Sequence, residues 1–166
     1  MKRIIKSVLL VLLVVFTGWI SYSIYRKIQI KRTAEKNTAT IPPFHFITLN
    51  KQEYNSTSVK SGKVIVNFFS PQCEHCQYMT EAYLQHAQQL DSVRILMITA
   101  ADSNTVARFA AEYKINTMPN ITLLLDRELQ FPVVFGSASV PSFFVYENNR
   151  LVKKISGETR IENLLN

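Results

Sequence analysis

The chain holds two cysteines, and both lie in one short run, Cys73-Glu74-His75-Cys76. Two thiols at this spacing can exchange electrons as a pair, one attacking a disulfide and the other resolving it. The attacking group must be a thiolate. A thiolate forms most readily at a helix N-terminus, where unpaired N–H groups and the macrodipole favour negative charge. Here an apolar run ends just before the motif and a helical pattern starts with it. Cys73 would therefore stand at the helix start and Cys76 one turn on, within reach of a mixed disulfide on Cys73. His75, when protonated, would favour the Cys73 thiolate further. Glu74 is expected to be exposed and to tune that thiolate weakly.

Other uses of the pair remain open from the residues alone. A structural zinc site wants four ligands, and the sequence offers no second cysteine pair. A structural disulfide would close a very short loop and stabilise little. Two buried bystander thiols are the third reading. Redox exchange is favoured, because C-x-x-C beside a βαβ pattern is its signature.

The elements that must hold the motif can be read around it. Val64-Ile65-Val66-Asn67-Phe68-Phe69 is a nearly continuous β-branched and aromatic run, suited to a strand covered on both faces. Arg94 to Thr99 is a second such run and Ile121 to Leu125 a third. Between the first two, Tyr78 to Leu90 places Met79, Tyr83, Ala87 and Leu90 at helical spacing. Asp102 or Ser103 can cap another helix carrying Val106, Phe109, Ala110 and Tyr113. Phe143–Tyr146 and Leu151–Ile155 flank Glu147-Asn148-Asn149-Arg150, a hairpin signal, and a short helix with Ile161, Leu164 and Leu165 closes the chain. This alternation predicts an α/β fold with a mixed sheet and helices on both faces.

Charge divides the chain differently. The formal net charge is +7 over 166 residues, and the first 36 residues account for all of it, with eight cations against Glu35. The remaining 130 residues hold eleven cations and eleven anions, so the basic pI is no sign of a nucleic-acid-binding surface and no nucleic-acid partner is expected. Ser7 to Tyr25 runs 19 residues without a charge. As a helix it would span roughly 28 Å, close to a bilayer core. It ends in Tyr25-Arg26-Lys27 instead of a small-residue cleavage site, which favours a retained anchor over a cleaved leader. The expected organisation is a basic front and transmembrane anchor over 1–25, a polar linker over 26–43, and a domain over 44–166.

The domain resembles the thioredoxin fold and, within it, the membrane-anchored TlpA/ResA-like thiol–disulfide oxidoreductases. The resemblance rests on Val66 through Cys76, on Val140-Pro141-Ser142-Phe143-Phe144-Val145-Tyr146, and on Leu151-Val152 through Gly157. It implies a thioredoxin-like mixed sheet flanked by helices and preceded by one transmembrane helix. It also implies a catalytic nucleophile at Cys73, a resolving thiol at Cys76, and a substrate groove at Val140 and Pro141, the latter a cis-proline. Met118-Pro119 is the competing position, but the expected hairpin and glycine follow Pro141. The Cys73–Cys76 disulfide would itself be the redox centre, with no cofactor or metal. Three positions depart from the family pattern. Asn67 stands where a buried Asp is usual, Gln72 replaces a common tryptophan, and His75 replaces the Pro of a Cys-Glu-Pro-Cys motif. A Cys-x-His-Cys motif is instead similar to oxidising members such as DsbA, because a cation beside the thiolate stabilises the reduced form.

The expected partners are protein thiols and disulfides, an upstream redox donor or acceptor, and the membrane through residues 7–25. Three cations precede the apolar segment and five follow it, and counted alone they would place the body in the cytoplasm. The resemblance implies the opposite: a single-pass protein of the bacterial inner membrane with its domain periplasmic. Two rivals use the same thiols. A peroxiredoxin-like peroxidase fits Ser70 but wants a Pro where Val66 stands, and a copper carrier would use Cys73, Cys76 and His75 as soft ligands.

Overall fold

Apolar runs become strands in a computed structural model that describes residues 12–13, 15–26, 29, 37–59 and 61–166. The strands are β1 (His45–Thr48), β2 (Glu53–Asn55), β3 (Lys63–Phe68), β4 (Arg94–Thr99), β5 (Ile121–Leu125), β6 (Ser142–Glu147) and β7 (Arg150–Ser156). They form one sheet in the order β2-β1-β5-β4-β3-β6-β7. The strands β3, β4 and β5 run parallel, while β6 is antiparallel to β3, β7 to β6, and β1 to β5. Central position explains the composition of β3: both faces are covered, so Ile65 and Val66 are each 0% exposed and neither face needs polar residues. The β6–β7 turn uses Asn148 and Asn149 at φ 47° and 67°, a left-handed conformation that Asn tolerates better than most residues.

The helices are α1 (Glu74–Gln85), α2 (Ala87–Leu90), α3 (Ser103–Glu112), α4 (Phe131–Phe135) and α5 (Ile161–Leu165). On one face of the sheet, Ile65, Phe69, Met97 and Phe143 pack against Cys76, Met79 and Tyr83 of α1, Val106 and Phe109 of α3, and Ile161 and Leu164 of α5. On the other, Val64, Val66, Phe68 and Phe144 meet Phe131 and Phe135 of α4 together with Phe44 and Phe46. The two periodicities agree with these assignments, alternate strand residues going to opposite faces. The helix expected to run unbroken to Leu90 is split at His86, which adopts φ −109° and ψ 25°, outside the helical range, and donates from Nδ1–H to Ala82 O at 2.9 Å.

The N-terminal part bears on the expected anchor and linker. Among the described residues no helix is long and apolar enough to cross a membrane. Residues 15–26 are helical, with Phe16, Trp19 and Tyr22 exposed, but residues 7–11 and 14 of the expected span lie outside the described residues. The stretch read as the end of a linker instead lies against the domain. Thr38 is buried, Thr40 bridges Arg150, and Ile41 N–H donates to Asn149 Oδ1 at 3.0 Å.

Candidate active site

The strand β3 delivers the chain to the motif. Phe69 N–H still bonds to the neighbouring strand, at Ile98 O, and the next residues turn, with Cys73 N–H donating to Ser70 O at 3.1 Å. Cys73 then takes an extended conformation and becomes the N-cap of α1. Its carbonyl accepts from both Cys76 N–H at 2.9 Å and Gln77 N–H at 3.0 Å, which closes the first turn. The Gln77 side chain steadies the same turn by donating to Pro71 O at 2.8 Å. Cys73 thus holds the N-cap of α1 through its backbone, with no hydrogen bond from its own side chain to the first-turn N–H groups.

The two thiols stand in opposite environments. Cys73 is half-exposed and Cys76 is 2% exposed, and both are free. Burial pushes the Cys76 thiol up to about 12; a backbone hydrogen bond at Ser70 opposes this, and the neighbouring Cys73 adds to it. One turn of helix thus separates an accessible sulfur from one held neutral. The Sγ of Cys73 approaches Val140 O at 3.9 Å, and the Val140–Pro141 peptide bond is cis. Val140 packs at the margin of both cores, so the turn before β6 is carried to Cys73 by the sheet itself.

Beneath α1, the polar side chain in β3 has found a partner. Asn67 is 1% exposed and donates from Nδ2 to Tyr83 OH at 3.2 Å, while its Oδ1 has no partner. Tyr83 is fully buried, and its hydroxyl is pushed well above the usual phenol value, chiefly by burial, with Asn67 opposing and Cys76 adding. The hydroxyl therefore stays protonated. Side chains on a helix lean toward its N-terminus, so Tyr83, seven residues after Cys76, reaches back under it.

The remaining site residues from the sequence divide. Glu74 is exposed in the first turn of α1, where negative charge suits the dipole. His75 is exposed, and its Nδ1 pairs with Glu158 Oε2 at 2.8 Å. Glu158 and the Asn67–Tyr83 pair went unread in the sequence. Glu158 is 83 residues from His75, and no local pattern links them. Tyr83 reads as one more apolar position on a helix face. Among the described residues, no group of three or more His, Cys, Asp or Glu side chains gathers as metal ligands would.

Together the fold and the site define a class: a dithiol at a helix start, on a mixed sheet, facing a Val-Pro turn. A model of the thioredoxin family, described as Thioredoxin, matches residues 45–135. Similar proteins include the thiol-disulfide oxidoreductase ResA of Geobacillus thermodenitrificans, 29% identical over 159 residues covering 93% of this chain and 86% of that protein. The thioredoxin-like protein YneN of Bacillus subtilis is 24% identical, covering 93% of this chain and 89% of YneN. Among solved structures, MTB dsbF superposes with a TM-score of 0.64 at 20% identity, covering 73% of this chain and 89% of its own. StoA from Bacillus subtilis gives 0.58 at 18% identity, covering 76% and 96%; at these identities both speak for the fold alone. The chain belongs to the thioredoxin family, and its paired cysteines place it among that family's thiol–disulfide oxidoreductases. The matched stretch ends before Val140-Pro141 and the β6–β7 hairpin.

Proposed function

We propose that the protein is a membrane-tethered, extracytoplasmic enzyme that exchanges disulfides with protein partners through Cys73 and Cys76. The observation that carries this reading is the contrast between a half-exposed Cys73 at the N-cap and a Cys76 that is 2% exposed. Cys73, as thiolate, attacks one sulfur of a partner disulfide. The partner's S–S bond breaks, one partner sulfur leaves as a thiolate and takes up a proton, and Cys73 is joined to the other. Cys76 gives up its proton and attacks Cys73 Sγ; the mixed disulfide breaks and the second partner thiolate departs to be protonated. Two electrons and two protons have passed to the partner, and the Cys73–Cys76 disulfide remains for an upstream dithiol donor to reduce. Run backward, the same steps oxidise a partner.

Val140 and Pro141 form the groove wall that an extended partner segment meets, with the Val140 carbonyl next to the attacking sulfur. The partner is a protein thiol or disulfide, as the name of ResA suggests for that relative. The tether is the apolar segment 7–25, flanked by the basic residues that make up the whole +7. Its supports are the length of that segment and the likeness to anchored family members, set against a charge count that favours the opposite topology.

Turnover of a peptide disulfide with a small dithiol as electron donor tests the chemistry. The wild-type protein should turn over and Cys73→Ser should fall to background. Equal rates in the two would end the reading. Reporter fusions at the C-terminus test the topology, and activity confined to cytoplasmic reporters would contradict it.

A further inference from the structure

The loop after β7 is fastened around the motif at three points. Gly157 N–H donates to Pro141 O at 2.8 Å. Glu158 Oε2 meets His75 Nδ1 at 2.8 Å, and Thr159 N–H meets Met79 Sδ at 3.5 Å. One loop therefore ties the first two turns of α1 to the turn whose Val140 carbonyl faces Cys73. Gly157 can close this clasp because it adopts φ 85°, a left-handed conformation that costs a glycine little.

The clasp also fixes the charge beside Cys73. A cation next to the attacking thiolate stabilises the dithiol form and makes the disulfide a stronger oxidant. His75 is the residue that would supply this cation, and the carboxylate at 2.8 Å answers it. We propose that Glu158 is a positioning residue that acts as the counter-ion of His75 and holds the Cys73–Cys76 pair toward the reducing side. Seen from Cys73, an imidazolium paired with a carboxylate is closer to a dipole than to a charge, and its field falls off faster. The thiolate gains less, the disulfide form is disfavoured less, and the dithiol gives up its two electrons to a partner disulfide more readily. The sequence left two directions of electron flow, and this pair favours donation.

The inference rests on the disulfide-exchange reading, and the experiment separates the two. The full chain is equilibrated in glutathione buffers of graded ratio, and the dithiol fraction is read by alkylation and mass. Both members of the pair are partly solvent-exposed, at 70% and 42%, so the effect is modest. Glu158→Gln should shift the equilibrium toward the dithiol by about threefold, or about 14 mV at about 30 mV per tenfold. Glu158→Asp should restore most of it, and in a His75→Ala background Glu158→Gln should shift nothing. A loop that only braces the fold would lower the melting temperature of Glu158→Gln and leave the potential alone, which would overturn the proposal. The same shift with and without His75 would overturn it equally. If the wild-type pair never equilibrates with glutathione, the exchange reading itself falls and takes this inference with it.

Discussion

The two faces of the sheet are built for different tasks from the same strands. The face under α1 and α3 is mixed: it buries Cys76, Asn67 and Tyr83 among aliphatic and aromatic side chains, and Asn67 Oδ1 goes unpaired there. The opposite face is aromatic and closed. Phe68 stacks on Phe131 at 4.3 Å, Phe131 on Phe135 at 4.4 Å, and both meet Phe144 edge-on at 5.9 and 5.2 Å. Both faces bury an unpaired polar atom, Asn67 Oδ1 on one and the Tyr146 hydroxyl on the other, but only the face under α1, the chemical face, carries groups of the site. Since β3 contributes alternate residues to each, the division is made residue by residue along one strand.

Truncation on the aromatic face should give the largest loss of stability. Phe131→Ala removes a fully buried ring from three aromatic contacts and should cost about 3–5 kcal/mol in urea unfolding. Exchange rate per folded molecule should stay at the wild-type value. A large loss of rate at unchanged stability would show that the faces are not separable.

The polar pair on the chemical face should behave differently. Tyr83→Phe leaves the Asn67 amide without its partner and should cost about 1–3 kcal/mol. Adding Asn67→Leu to it removes both buried polar groups and should recover most of the loss. If the double variant is as unstable as the sum of the singles, the pair is not the source of the cost.

Cys76 gives a pH signature that belongs to this face alone. Its thiol is pushed up to about 12 in the folded protein, whereas a thiol of the unfolded chain ionises near pH 8.5. The unfolded chain therefore releases this proton first, so the contribution is fully present below about pH 8.5 and is lost as pH climbs from there toward about 12. Alkylation should follow the same division: at pH 8 iodoacetamide should modify Cys73 and spare Cys76 until denaturant is added. Equal labelling of both in the native protein would break the contrast.

The smallest effect is expected at the start of α3, remote from both contrasts. Asp102 accepts from Asn104 N–H and Thr105 N–H at 3.0 Å and from the Thr105 hydroxyl at 2.6 Å, which holds its carboxyl below the usual carboxylate range. The cap is intact above that usual range and is lost as pH falls through the lowered value. Asp102→Ala should speed hydrogen exchange at the Asn104 and Thr105 amides and leave disulfide exchange unchanged.

What could be read in advance follows from how local each cause is. The strands β3, β4 and β5 and the β6–β7 hairpin were legible because apolar runs and a turn signal are sequence-local. The helix α4 was not: Phe131-Pro132-Val133-Val134-Phe135 reads as extended by propensity. It becomes helical because buried Asp126 accepts from Gln130 N–H and Phe131 N–H at 2.8 Å each, and because Gly136 ends it in a left-handed turn. The β1–β2 hairpin escaped notice because its strands are three and four residues long and turn at Lys51, a non-glycine residue with φ 62°. At the site, both cysteines were visible as types at a spacing, and the Val140–Pro141 turn through the family resemblance. Glu158 was not, since only the completed sheet brings the loop after β7 to the start of α1.

The central claim is that Cys73 receives the partner and Cys76 releases it, and trapping tests this most directly. A Cys76→Ser chain is mixed with a disulfide-bonded peptide, and the adduct is located by mass after digestion. The account predicts a persistent mixed disulfide on Cys73 at one peptide per chain, and none on a Cys73→Ser chain under the same conditions. Failure of Cys76→Ser to hold any peptide, or capture by Cys76 in the Cys73→Ser chain at an equal rate, would contradict it.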